Sequence, residues 1–117
     1  MRSVAEIDSV MRRAKVVGVT CLGINHPIFR TRSFDVCVVD EASQMTVPVV
    51  LGPISCAVKF VLVGDHHQLP PLVRNEEARR GGLEGSLFKR LCHAHPQAVV
   101  TLQRQVGDDC TLSLSHT

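Results

Sequence analysis

The spacing of apolar and polar residues changes several times along the chain, and each change marks an element. Ser3-Val4-Ala5-Glu6 has the spacing of a helix capping box. Val4, Ile7, Val10, Met11 and Ala14 then recur at helical intervals, which predicts a helix over about residues 4–14. From Lys15 to Ile24 the sequence turns apolar and β-branched, predicting a first strand that ends near Thr20-Cys21. Residues 25–33 read as a polar loop. Phe34 to Val39 is an almost continuous apolar run, and it stops at two adjacent carboxylates, Asp40 and Glu41. A short run of this kind suits a strand buried on both faces of a parallel sheet.

The second half repeats the arrangement. Thr46 to Ile54 carries Pro48 and Pro53 around Val-Val-Leu, predicting a short helix with Pro48 in its first turn, where a missing N–H costs nothing. Lys59 to Asp65 is another apolar run ending in an acid, followed by a Pro70-Pro71 turn and a polar stretch to Gly85. Ser86 is placed to cap a last helix with Leu87, Phe88 and Leu91 as its buried stripe. Ala98 to Leu102 is a fourth strand candidate, and after Gln103 the pattern decays. Alternating strands and helices predict the α/β class: a parallel sheet of about four strands with flanking helices in residues 1–104. Residues 105–117 read as a divergent, disordered tail.

Composition narrows the function classes. With 117 residues and a formal net charge of +2, the chain is about one domain long and has no strong field for gripping a polyanion. Arg12-Arg13 and Arg79-Arg80 are local basic pairs of the sort that usually lie on solvated faces. Tyr and Trp are absent, so there are few platforms for stacking bases. Five scattered cysteines without a C-x-x-C point to reduced, intracellular thiols packed as small hydrophobes. No stretch is long and apolar enough for a membrane span.

The chemistry gathers where the two best strands end. Open parallel sheets bind ligands at the carboxyl ends of their strands. An Asp there holds Mg²⁺ in P-loop enzymes, and a neighbouring Glu can activate the attacking water. The bland alternative for Asp40-Glu41 is a helix cap and a first-turn acid favoured by the helix dipole. Asp65 and Gln68 would lie beside them if the two strands are neighbours, and Gln68 could report a γ-phosphate because it both donates and accepts. The matching cradle is missing: Gly18 and Gly23 have the gap of a Walker A loop, but Ile24-Asn25 replace its Lys and Ser/Thr.

Asp40-Glu41-Ala42-Ser43-Gln44, taken with Gly64-Asp65-His66-His67-Gln68-Leu69-Pro70-Pro71, resembles motifs II and III of superfamily 1 helicases of the 5′-to-3′ subgroup. Leu72 to Asn75 and Ser86 to Leu91 look most like its members that join a helicase motor to a nuclease. The resemblance implies part of a RecA-like P-loop NTPase domain over residues 1–104, working with Mg²⁺ and ATP. It implies that Asp40 coordinates the metal, that Glu41 polarises the water, and that Asp65 and Gln68 sense the γ-phosphate. Gln44 is either a nucleotide contact or a structural hydrogen bond. Thr20, Cys21, Pro70 and Pro71 would lie near single-stranded DNA, such as a flap or a resected end. The remainder of the motor would be the protein partner. An iron–sulfur cluster belongs only to the full-length enzyme, and the implied location is the nucleus, with the mitochondrion second.

Three departures from the family pattern shape the expectations. Walker A, the adenine-recognition segment and a second motor domain are not in these 117 residues. Leu102-Gln103-Arg104-Gln105-Val106 stands where the family has Gln-Tyr-Arg-Met, so Arg104 is an imperfect substitute. Without the Walker A strand, the Ala98–Leu102 strand is expected to pair directly with the Lys59–Gly64 strand. The chain alone is expected to be inactive. A non-catalytic helicase-like binding protein, and an RNA helicase of the same superfamily, remain alternative readings.

Overall fold

The computed structural model describes residues 4–65 and 67–102. Its centre is a β–α–β unit. Strand β1 (Phe34–Val39) and strand β2 (Ala57–Leu62) run parallel, with Phe34 opposite Ala57 and Val39 opposite Leu62. Helix α1 (Val4–Arg13) precedes them and helix α2 (Val47–Ser55) connects them. Thr46 occupies the N-cap of α2 and Pro48 lies in the first turn, as expected for a residue with no N–H to place. Helix α3 (Glu76–Arg80) and helix α4 (Leu87–Ala94) follow the second strand. The α4 cap is the expected one, with Ser86 Oγ accepting from the Lys89 N–H at 3.2 Å.

The core is small, and neither face of the sheet is fully covered among the described residues. Val50 and Ala42 are fully buried, and Val39 and Phe29 nearly so. The Phe29 and Phe34 rings meet at 6.4 Å between centroids. Burial on both sheet faces is not found. Val36, Val38 and Val61 on one face, and Val58 on the other, are half or more exposed. The four described cysteines are free thiols and half-buried. Burial, helped by the neighbouring Cys21 and Cys56, pushes the Cys37 thiol up from its ordinary value.

Four strands were expected and, among the described residues, two form. An extended segment becomes a strand only by exchanging hydrogen bonds with a neighbour, and residues 15–20 make no ladder. Val16 is 89% exposed. The Thr20 side chain takes the Gly23 N–H at 3.1 Å and diverts the chain into a 3-10 turn, Cys21–Asn25. At the other end Pro96 opens a 3-10 turn, Pro96–Ala98. The amides of Ala98 and Val99 are used there, on His95 O and Pro96 O. Residues 99–102 therefore do not reach β2, and the expected direct pairing of the last strand is overturned.

The polar stretch before Gly85 also hides a helix that periodicity missed. Asn75 Oδ1 accepts from the Ala78 N–H at 2.8 Å and starts α3, whose two ends are joined by Arg79–Glu76 and Arg80–Glu76 ion pairs. Ser3, which would complete the α1 capping box, lies outside the described residues, as do His66, Arg104 and the 105–117 tail. No described helix is long and apolar enough to cross a membrane.

Candidate active site

The two strands do not part where the sheet ends. Past β2, the Val63 N–H donates to Val39 O at 2.8 Å, and Val63 O in turn accepts from the Ala42 N–H at 2.8 Å. One step further, the Asp65 N–H donates to Ser43 Oγ at 3.2 Å. Gly64 is what permits this approach: a Cβ there would stand 2.9 Å from the Ser43 nitrogen and 3.0 Å from its Oγ. These rungs set the Asp40-Glu41 pair and the Asp65–Gln68 turn side by side at the carboxyl edge, the usual ligand edge of a parallel sheet.

Each acid is oriented by its own neighbourhood. Asp40 Oδ1 accepts from the Glu41 N–H at 3.0 Å. Glu41 lies in the left-handed region (φ 52, ψ 33), alone among the described non-glycine residues, at a cost of about 1 kcal/mol. That twist starts the Ala42–Gln44 3-10 turn and lets Gln44 Nε2 donate to Glu41 Oε2 at 3.1 Å. Across the edge, Asp65 Oδ1 accepts from the His67 N–H at 2.9 Å and Oδ2 accepts from Gln68 Nε2 at 3.2 Å. Asp40, Glu41, Gln44 and Gln68 are all exposed.

The donor set can be tested against a divalent cation. Among the described residues no cluster of three or more His, Cys, Asp or Glu side chains could hold a metal. A protein cage for Ca²⁺ or Zn²⁺ is therefore not built here. Mg²⁺ asks for less, since it keeps several waters and is held by one or two carboxylates plus substrate phosphates. A single exposed Asp40 fits that requirement.

The residues expected near nucleic acid approach the same edge by two routes. Thr20 caps the Cys21–Asn25 turn, which packs on α2, and Cys21 Sγ lies 3.4 Å from Met45 Sδ, next to Gln44. Pro70 and Pro71 border a hollow of about 320 Å³ together with Ser43, Gln68, Ser86 and Lys89. Pro71 is buried, so Leu69 and Pro70 form the outer surface of that turn. Ser43 carried no role in the reading of the motifs. Its available signal was the pairing of small residues, Ala42-Ser43 and Gly64, immediately after two apolar runs.

A parallel β–α–β unit with carboxylates on its carboxyl edge belongs to the class of α/β domains that bind their ligands at that edge. The profile of a family described as an AAA domain matches residues 2–76, and the chain belongs to that family. It is 55% identical over 105 residues to the DNA replication ATP-dependent helicase/nuclease JHS1 of Arabidopsis thaliana, a match covering 90% of this chain and 8% of the relative. It is 52% identical over 105 residues to the helicase/nuclease DNA2 of Gallus gallus and 49% identical over 118 residues to that of Saccharomyces cerevisiae. These matches cover 90% and 97% of this chain. The chain spans at most 10% of the length of these relatives. The expected kinship with helicase/nucleases is borne out.

Proposed function

We propose that this chain supplies the metal- and water-handling part of an ATP-driven DNA motor of the helicase/nuclease kind, acting in DNA replication and repair. The observation that carries the reading is the interlocked carboxyl edge, where rungs from Val63 to Val39, Ala42 to Val63 and Asp65 to Ser43 align the two acidic turns. Residues 1–104 are the motor part in this proposal.

Asp40 is the residue that would hold Mg²⁺ with ATP phosphates. When bound, the ion neutralises charge on the transferring phosphoryl group. Glu41 orients the attacking water and takes its proton, with Gln44 fixing the carboxylate that must face it. Gln68, held by Asp65, has both a donor and an acceptor to offer a γ-phosphate or the group that replaces it. Single-stranded DNA, as a flap or a resected end, passes Thr20 and Cys21 on one side and the Pro70-Pro71 turn on the other. The phosphate cradle, the second motor domain, the nuclease and its iron–sulfur cluster fall to the remainder of such an enzyme, in the nucleus and in mitochondria.

The test places this chain in the full-length Arabidopsis relative, in exchange for the matching segment. The chimera is expected to release phosphate from ATP in a Mg²⁺- and single-strand-dependent manner, and Glu41→Gln is expected to slow it by ~10²–10⁴-fold. Equal rates in the two proteins, or a chimera without ATPase activity, overturn the reading.

A further inference from the structure

Ser43 is a polar residue only 3% exposed, in the turn that Glu41 begins and against the Asp65–Gln68 turn. Its hydroxyl oxygen is the acceptor for the Asp65 N–H at 3.2 Å. Asp65 in turn accepts from Gln68 Nε2 through Oδ2. Upstream, Ser43 sits in the 3-10 turn that Glu41 begins and Gln44 closes, with the Gln44 N–H donating to Glu41 O at 3.0 Å. Glu41 is thus bonded to Gln44, the covalent neighbour of Ser43, and Ser43 is bonded across the junction to Asp65, which holds Gln68.

The fit around Ser43 makes that linkage stiff. Ala42 beside it is fully buried, and the absence of a Cβ at Gly64 leaves no slack between the two backbones. No buried side-chain N or O among the described residues lacks a partner. Alanine at 43 would keep the packing and remove the Oγ acceptor of the half-buried Asp65 N–H, which opens that single rung.

We infer that Ser43 is a positioning residue: its hydroxyl couples the water-orienting Glu41 turn to the Asp65–Gln68 turn, so that the two respond to nucleotide as one unit. The inference rests on the proposed reading of the site. A plug that merely fills space would affect folding and leave the hydrolytic step alone. A coupling residue acts on turnover, and only while Gln68 is present to receive the effect.

The experiment is a double-variant cycle in the full-length chimera described above, reading kcat and KM for Mg-ATP with saturating single-stranded DNA. Ser43→Ala is expected to lower kcat by ~5–20-fold with KM changed less than ~3-fold, the size of one lost hydrogen bond to a half-buried amide. In a Gln68→Ala background the same substitution should have little further effect, because coupled residues do not add. Ser43→Cys, which keeps a side chain of similar shape but offers only a weak acceptor, should give the same pattern and serves if Ser43→Ala does not fold. Effects of Ser43→Ala and Gln68→Ala that multiply independently, or a loss confined to KM or thermal stability, overturn the inference. Glu41→Gln separates the two levels. Activity surviving in it overturns the site reading; activity lost in it, with Ser43→Ala at the unsubstituted rate, overturns only the role given to Ser43.

Discussion

Gln44 Nε2 donates to Glu41 Oε2 across 3.1 Å, one turn of 3-10 helix apart. The bond uses one carboxylate oxygen of an exposed side chain, and in the proposed site the other is the one that would face the water. In a complete motor carrying this segment, Gln44→Ala should lower kcat less than Glu41→Gln does, with nucleotide affinity close to unchanged in both. Asp40→Ala should differ from them by weakening Mg²⁺-dependent ATP binding, since it removes the metal's anchor. Nucleotide titrations beside phosphate-release rates check this, and equal loss of affinity in all three variants would show the roles to be wrongly divided.

The left-handed backbone of Glu41 predicts a divergence between stability and activity. Glycine adopts φ near 52 without the Cβ penalty. Glu41→Gly should therefore keep or raise stability by up to ~1 kcal/mol in denaturant titration, after the entropy glycine gains in the unfolded chain is set against the relieved strain. ATP turnover in the complete motor should be lost. A destabilisation well above that size would mean the Glu41 conformation costs little.

The 117-residue chain by itself contains no G-x-x-x-x-G-K-[ST] and is expected to hydrolyse no ATP. Phosphate release by the purified chain should equal that of its own Glu41→Gln variant. A Mg²⁺- and DNA-dependent rate that disappears in the variant would refute the expectation.

Acid should loosen α1 before it reaches the sheet. Asp8 accepts from Arg12 Nε at 2.8 Å and Arg32 Nη2 at 2.7 Å, and these two guanidiniums hold its carboxyl below the usual carboxylate range. Because the folded pKa is the lower one, the unfolded chain binds the extra proton. The contribution of the pair is thus present above the unfolded value and fades as pH falls through the folded one. Urea titrations from about pH 6 to about pH 2 should show the advantage of the parent over Asp8→Asn shrinking toward acid. A constant difference across that range would contradict the assignment.

The legible parts of this fold are those whose information is local. The Phe34–Val39 and Lys59–Leu62 runs, the Pro48 helix start and the Ser86 cap could be read because each depends on residues a few positions away. The Val16–Thr20 and Val99–Leu102 stretches carry the same β-branched signal and form no strand, since a strand also needs a neighbour that the segment cannot specify. Pairing of Asp40-Glu41 with Asp65-Gln68 was readable from two runs ending in acids. The Ser43–Asp65 bond and the positive φ of Glu41 were not, because both arise from how closely two backbones approach.

Every register pair of the sheet, from Phe34 with Ala57 to Val39 with Leu62, is separated by 23 residues, and α2 fills the interval. For a parallel pairing this is a short loop to close, so the entropic barrier to forming it is low. The β1–α2–β2 unit should therefore act as the folding nucleus and be the first part of the chain to become resistant to amide exchange. Substitutions at Val50 or Val39 would then slow folding, whereas those at Asp8 or in α3 would chiefly speed unfolding. The acidic edge is built into the part that assembles first.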